Sequence, residues 1–119
     1  RTKQIENNIS NKTLYSGFDS KGFKADNTLH TYALELKSFL QKYPELSVLI
    51  IGHTDSTGDE VANMWFGMER AKNVKDYLVS QGINADRIIV DSKGETQPVE
   101  SNATIEGRRM NRRIEIIVN

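Results

Sequence analysis

The sequence predicts an α/β fold, built as an α+β sandwich, in which the elements run β-α-β-α-β-(α)-β and four strands pack against two main helices. Three observations predict it. Leu46, Val48, Leu49, Ile50 and Ile51 form an apolar run bounded by Pro44 and Gly52; it is too short for an ordinary helix and reads as a strand buried on both faces. Leu29, Tyr32, Ala33, Leu36, Phe39, Leu40 and Tyr43 recur at i, i+3, i+4, i+7, i+10, i+11 and i+14, the stripe of an amphipathic helix. Ile114, Ile116 and Val118 alternate with Arg113, Glu115 and Ile117, as in a terminal strand with one face better buried than the other.

The remaining elements follow in order. Residues 1–12 are polar, with Ile5 and Ile9 spaced for one helical face, and read as a short helix or a linker end. Thr13, Leu14 and Tyr15 suggest a short strand, and the glycines and small polar residues from Ser16 to Gly22 a loop. Asp26 or Asn27 caps the first main helix, and Pro44 stops it. After the buried strand, His53 to Asp59 form a polar loop in which Ser56 or Asp59 caps a helix beginning near Glu60. Ala71, Val74, Tyr77 and Leu78 are the buried stripe of that helix, Met64 and Phe66 extend it upstream, and Gly82 is its left-handed C-cap. Gly67 marks either a close approach of backbones or a late start of the helix. Asn63 and Arg70, seven apart, fall beside the stripe. Arg87 to Val90 read as the third strand, Ser92 to Asn102 as a loop, and Thr104 to Met110 as a short helix. The strand-helix-strand unit across the second helix should be a parallel, right-handed crossover.

At 119 residues the chain is expected to be a single domain. Sixteen basic and sixteen acidic residues cancel, which argues against a field holding nucleic acid or an anionic membrane. Without cysteine there is no disulfide or thiolate metal site. No apolar stretch reaches the roughly 18 residues of a membrane span, and the N-terminus lacks a signal-peptide core. The chain starts mid-stream at Arg1, so it reads as part of something longer whose export signal or anchor lies upstream.

Chemistry concentrates after the buried strand. His53, Asp55 and Asp59 are metal-capable, yet their spacing does not make them converge, and His53 reads as structural, its imidazole bonded to a neighbouring backbone group. Ser56 or Thr57 with His53 and Asp55 lie too close along the chain for a triad, and the loop lacks a Walker lysine. Opposed charges remain: Asp55 at the strand's carboxyl end and Arg70 on the following helix would suit a zwitterion, the carboxylate accepting from its ammonium and the guanidinium pairing its carboxylate. Pairing of the two with each other or with solvent is the alternative, and spacing alone favours it. Arg108, Arg109, Arg112 and Arg113 lack interleaved aromatics, and read as pairing with acidic residues to brace the sheet.

The succession Ile51-Gly52-His53-Thr54-Asp55-Ser56-Thr57-Gly58, Asn63, Arg70-Ala71, Gly82-Ile83, Arg87-Ile88, Gly94-Glu95, Pro98, Asn102, Thr104, Gly107-Arg108 and Asn111-Arg112-Arg113-Ile114-Glu115 resembles the OmpA-like C-terminal domain, which peptidoglycan-associated lipoproteins and flagellar stator MotB proteins share. The resemblance runs from about Leu14 to Val118. It implies helices on a mixed sheet, and non-covalent binding of peptidoglycan in the periplasm through the diaminopimelate of the stem peptide. By position, Asp55 resembles the residue that takes the ammonium and Arg70 the one that takes the carboxylate. Phe18, Asp19, Thr57, Asn63 and Phe66 look like pocket residues, while Thr54, Asn111 and Arg112 look like supports, the last two bracing the Asp55 loop. Two departures stand out: the family usually has Leu-Ser at Phe66-Gly67, and often Gly-Tyr-Gly at Ser92-Lys93-Gly94. A larger Phe66 would narrow the pocket, and the lost serine removes a hydroxyl contact or cap.

The implied role is a non-enzymatic module of the Gram-negative cell envelope, without cofactor or metal, that anchors a parent outer-membrane protein, inner-membrane protein or lipoprotein to the wall through an upstream segment. Homodimerisation of that parent is left open. The alternative is a protein interaction or oligomerisation module with a vestigial pocket. An enzyme acting on the wall is disfavoured, since no acid/base pair or activated nucleophile stands out.

Overall fold

The computed structural model describes residues 11–15, 18–19, 22–23 and 25–119, with the backbone alone at 18–19 and 22–23. Strand β1 (Lys12–Leu14) comes first, then a two-stranded hairpin of β2 (Phe18–Asp19) and β3 (Gly22–Phe23). Helix α1 (Asn27–Lys42) leads to β4 (Val48–His53), α2 (Glu60–Ser80), a 3-10 turn at Ala85–Arg87, β5 (Ile88–Gly94), α3 (Ile105–Asn111) and β6 (Ile114–Val118). The expected helix or linker before residue 11 lies outside the described residues.

The main sheet has the order β1-β6-β4-β5 and is mixed. β4 and β5 run parallel across α2, while β6 is antiparallel to both β4 and β1. The Asn11 side chain accepts from Val118 N at 2.8 Å, and Ser47 and Asn119 exchange backbone bonds of 2.9 and 3.0 Å, so both ends of the described chain meet the sheet at the start of β4.

One face of the sheet, carrying Leu14, Val48, Ile50, Ile88, Ile114 and Ile116, packs on the α1 stripe and on Ala71, Val74 and Leu78 of α2. The caps are carboxylates and a hydroxyl. Asp26 accepts from Leu29 N at 2.8 Å, Asp59 from Ala62 N at 2.9 Å, and Thr104 from Gly107 N at 2.9 Å. At the end of α2, Gly82 has φ +106°, Gly82 N donates to Val79 O and Ile83 N to Leu78 O, the reciprocal pair of a left-handed helix stop.

Several boundaries differ from expectation. β1 spans Lys12–Leu14, one residue earlier than Thr13 to Tyr15. Residues 18–19 and 22, expected within a loop, pair with one another and with Phe23 in two strands too short to leave a periodic pattern. The third strand runs on to Gly94, because its ladder with β4 continues through a register shift at Gly52/His53 in which His53 pairs with Gly94. Helix α2 starts at Glu60, so Gly67 does not mark a late start. It marks a backbone crossing: a Cβ on Gly52 would overlap the carbonyl oxygen of Gly67, and one on Gly67 would overlap the Ser92 hydroxyl. Asn63 belongs to the buried stripe of α2, at its first turn, while Met64 and Phe66 stand outside it.

Candidate functional site

The carboxyl end of β4 delivers Thr54 and Asp55 into a loop pinned on three sides. From the sheet, His53 N donates to Arg113 O at 2.9 Å and Thr54 N to Gly94 O at 2.8 Å. From the helix, Asn63 Nδ2 reaches Asp55 O at 3.3 Å, Thr57 O at 3.0 Å and Glu95 Oε1 at 2.7 Å. From the third side, Ser56 N donates to Asn102 Oδ1 at 3.4 Å. Thr54 turns its hydroxyl to the Asp55 carbonyl at 2.8 Å. A buried Asn with three acceptors ties the first turn of α2 to the loop before it and to the end of β5.

The Asp55 side chain is 10 % exposed. Its Oδ1 accepts from Thr57 N at 2.8 Å and its Oδ2 from Arg112 Nη1 at 2.6 Å. Burial pushes the carboxyl up, but the bonds from Thr57 and the Arg112 guanidinium outweigh it and hold the group below the ordinary carboxylate value, so it stands ionised. Arg70 is half-buried on the flank of α2 and feels both neighbours. Burial and the Arg112 charge lower its hold on the proton, while the Asp55 charge raises it. One carboxylate and two guanidiniums therefore share one electrostatic neighbourhood. Asp55 and Arg112 form an ion pair inside it, a pairing that the opposition of Asp55 and Arg70 along the sequence does not suggest.

Asn111, fully buried, acts one step away from Asp55. Its Oδ1 accepts from Val99 N and Glu100 N at 2.7 and 3.0 Å, and its Nδ2 donates to Glu100 O and Asn102 Oδ1 at 2.9 and 2.8 Å. It reaches the Asp55 loop through Asn102. Arg112 supports Asp55 itself. For Phe18 and Asp19 only the backbone is described, as a strand, and their expected pocket side chains lie outside the described residues. Phe66 stands one helical turn from Asn63 and from Arg70, and is largely exposed.

His53 is structural, but its partner differs from the backbone group expected. Nε2 donates to Glu115 Oε1 at 3.1 Å across the neighbouring strand, and Arg113 Nε lies 3.5 Å from Glu115 Oε2. The carboxylate lies on β6 because β4 and β6 are antiparallel neighbours. His53, Asp55 and Asp59 diverge, the first to Glu115, the second to Arg112, the third to its own cap, and no group of three metal-capable side chains forms among the described residues. Of the C-terminal arginines, Arg109, Arg112 and Arg113 face Glu106, Asp55 and Glu115, whereas Arg108 donates to the Asn102 carbonyl at 2.9 Å. Glu95 stands in the Gly94-Glu95 step of the resemblance, but its link to Asn63 spans 32 residues and leaves no local spacing that marks this role.

A family model described as OmpA family matches residues 18–112. Peptidoglycan-binding protein ArfA of Mycobacterium tuberculosis is 48 % identical over 80 residues, covering 67 % of this chain and 24 % of that protein. The probable lipoprotein YiaD of Escherichia coli is 42 % identical over 93 residues, 78 % of this chain and 41 % of that protein. The chain thus spans between about a quarter and two-fifths of the length of these curated relatives. Among solved structures, the peptidoglycan-associated lipoprotein from Burkholderia pseudomallei superposes with a TM-score of 0.79 at 24 % identity, over 91 % of this chain and 90 % of that one. The C-terminal domain of Helicobacter pylori MotB gives 0.70 at 24 % identity, over 89 % and 81 %. Both share the mixed sheet and helices described above.

Proposed function

The chain belongs to the OmpA family, and on that premise we propose that it binds peptidoglycan without cleaving it, taking the diaminopimelate of the stem peptide between Asp55 and Arg70. The observation that carries the reading is the buried, ionised Asp55 within the electrostatic reach of a half-buried Arg70. The ligand's ammonium approaches the Asp55 carboxylate and its carboxylate the Arg70 guanidinium, each contact charge-assisted and partly desolvated. Arg112, 40 % exposed, keeps Asp55 oriented in the ligand-free state and has room to move aside. Thr57 and Asn63 set the loop, Thr54, Asn111 and Asn102 hold it from behind, and Phe18, Asp19 and Phe66 complete the wall. The module works in the periplasm, tethered to a membrane through an upstream segment of its parent.

The test is retention on purified diaminopimelate-type sacculi. Asp55→Ala and Arg70→Ala are each expected to abolish pull-down while the circular-dichroism spectrum stays that of the parent. If both folded variants sediment with sacculi as the parent does, the site is elsewhere. Release of soluble muropeptides from sacculi over hours would instead mark an enzyme.

A further inference from the structure

Two aromatic side chains on the first half of α2 take no part in the core. Trp65 is 58 % exposed and Phe66 46 %. They pack edge to face, ring centroids 5.2 Å apart at 71°, so each stiffens the other while leaving aromatic surface in water. Phe66 lies three residues after Asn63 and four before Arg70, on the same flank of the helix, so the aromatic corner is continuous with the candidate site. Even with the neighbouring exposed Val61 and Met64, so small a patch offers at most a few hundred Å², since a whole aromatic side chain buries about 150–250 Å². A stable protein partner needs about 800 Å² on each side. The corner fits one ring better than a second chain.

Resting on the peptidoglycan reading above, we infer that Trp65 and Phe66 form a sugar subsite, in which the C–H face of a pyranose of the glycan strand lies against the aromatic surface while Asp55 and Arg70 hold the stem peptide. The reach fits. The rise from Arg70 back to Phe66 is about 6 Å along the helix. When diaminopimelate is the third residue of the stem, the two residues between it and the sugar extend to about 7 Å.

Trp65 is the chain's single tryptophan, so its emission reports on this corner alone. Two probes are titrated into the 119-residue chain: a disaccharide-tripeptide carrying diaminopimelate, and the same tripeptide without sugars. Binding of the sugar-bearing probe is expected to be at least 5-fold tighter and to shift Trp65 emission to the blue, with no shift from the tripeptide. In Trp65→Ala, followed by calorimetry, the sugar advantage is expected to fall below 2-fold with the tripeptide's Kd unchanged. Equal affinity of the parent for both probes overturns the sugar subsite and leaves the peptide site standing. If Trp65→Ala weakens both probes alike, Trp65 serves the peptide site and the subsite is overturned. If neither probe binds, the peptidoglycan reading itself fails, and this inference with it.

Discussion

Asp55 takes hydrogen bonds from two directions, from Thr57 in its own turn and from Arg112 at the far end of the chain. The carboxylate is thereby held in one orientation. Asp55→Asn keeps a carbonyl for Thr57 but removes the charge that Arg112 faces, and is expected to cost about 1–3 kcal/mol of stability in urea unfolding, with sacculus binding lost. Asn63→Ala should cost a similar amount, because it strips the partner from the Asp55 and Thr57 carbonyls at a buried position. The positions of Asp55 after a buried strand and of Arg70 on the following helix are local facts readable in the sequence, whereas the roles proposed for them rest on the resemblance. Arg112 was legible only as a support, and Glu95 only as a step of the resemblance with no role attached. Partners 57 and 32 residues away are fixed by which strands and helices neighbour one another, not by local pattern.

At the scale of elements, the crossing of α2 over β4 and β5 explains the two departures together. Where the resembling domain has a serine on the helix and often a glycine on the strand, this chain has Gly67 on the helix and Ser92 on the strand, and the Ser92 hydroxyl occupies the space that a Cβ at position 67 would need. The Ser92 hydroxyl accepts from Gly94 N at 3.1 Å. Gly67→Ser alone is expected to destabilise by about 1–3 kcal/mol through overpacking. Adding Ser92→Gly should recover part of that loss, the rest coming from the Gly52 carbonyl that the same Cβ meets, a coupling read from a double-mutant cycle of denaturant unfolding. Strictly additive losses would show that the two positions do not share this space. The long stripes of α1 and the apolar run of β4 were readable because burial imposes period on them. The extension of β5 through Ser92 and Lys93 was not, because polar residues there are held in the ladder by β4 and not by a core of their own.

For the molecule as a whole, two buried groups among the described residues contribute to the acid limb of stability. His53 is pushed below its ordinary 6.5, first by burial, against the pull of Glu115. As pH falls through 6.5 the unfolded chain takes up that proton before the folded one, so stability is full above about 6.5 and declines below it. Asp55, held below its ordinary 3.8, contributes above that value and loses its contribution as pH falls through the folded value. Tm is therefore expected to drop in two stages on acidification. His53→Gln, which keeps a donor for Glu115 but does not titrate, should flatten the first stage and spare the second. An unchanged slope between about pH 6.5 and 5 in that variant would assign the first stage to another group.

Because β6 is antiparallel to both β1 and β4, β1 and β4 point the same way, and the loop carrying Asp55 sits at the opposite end of the sheet from Asn11 and Asn119. Tension applied upstream of Asn11 against a catch at that loop runs along the strands and loads the β1–β6 bonds together, at right angles to the pull. Tension between Asn11 and Asn119 instead peels the same bonds one at a time. In single-molecule force spectroscopy, handles at residues 11 and 58 should rupture at higher force than handles at 11 and 119.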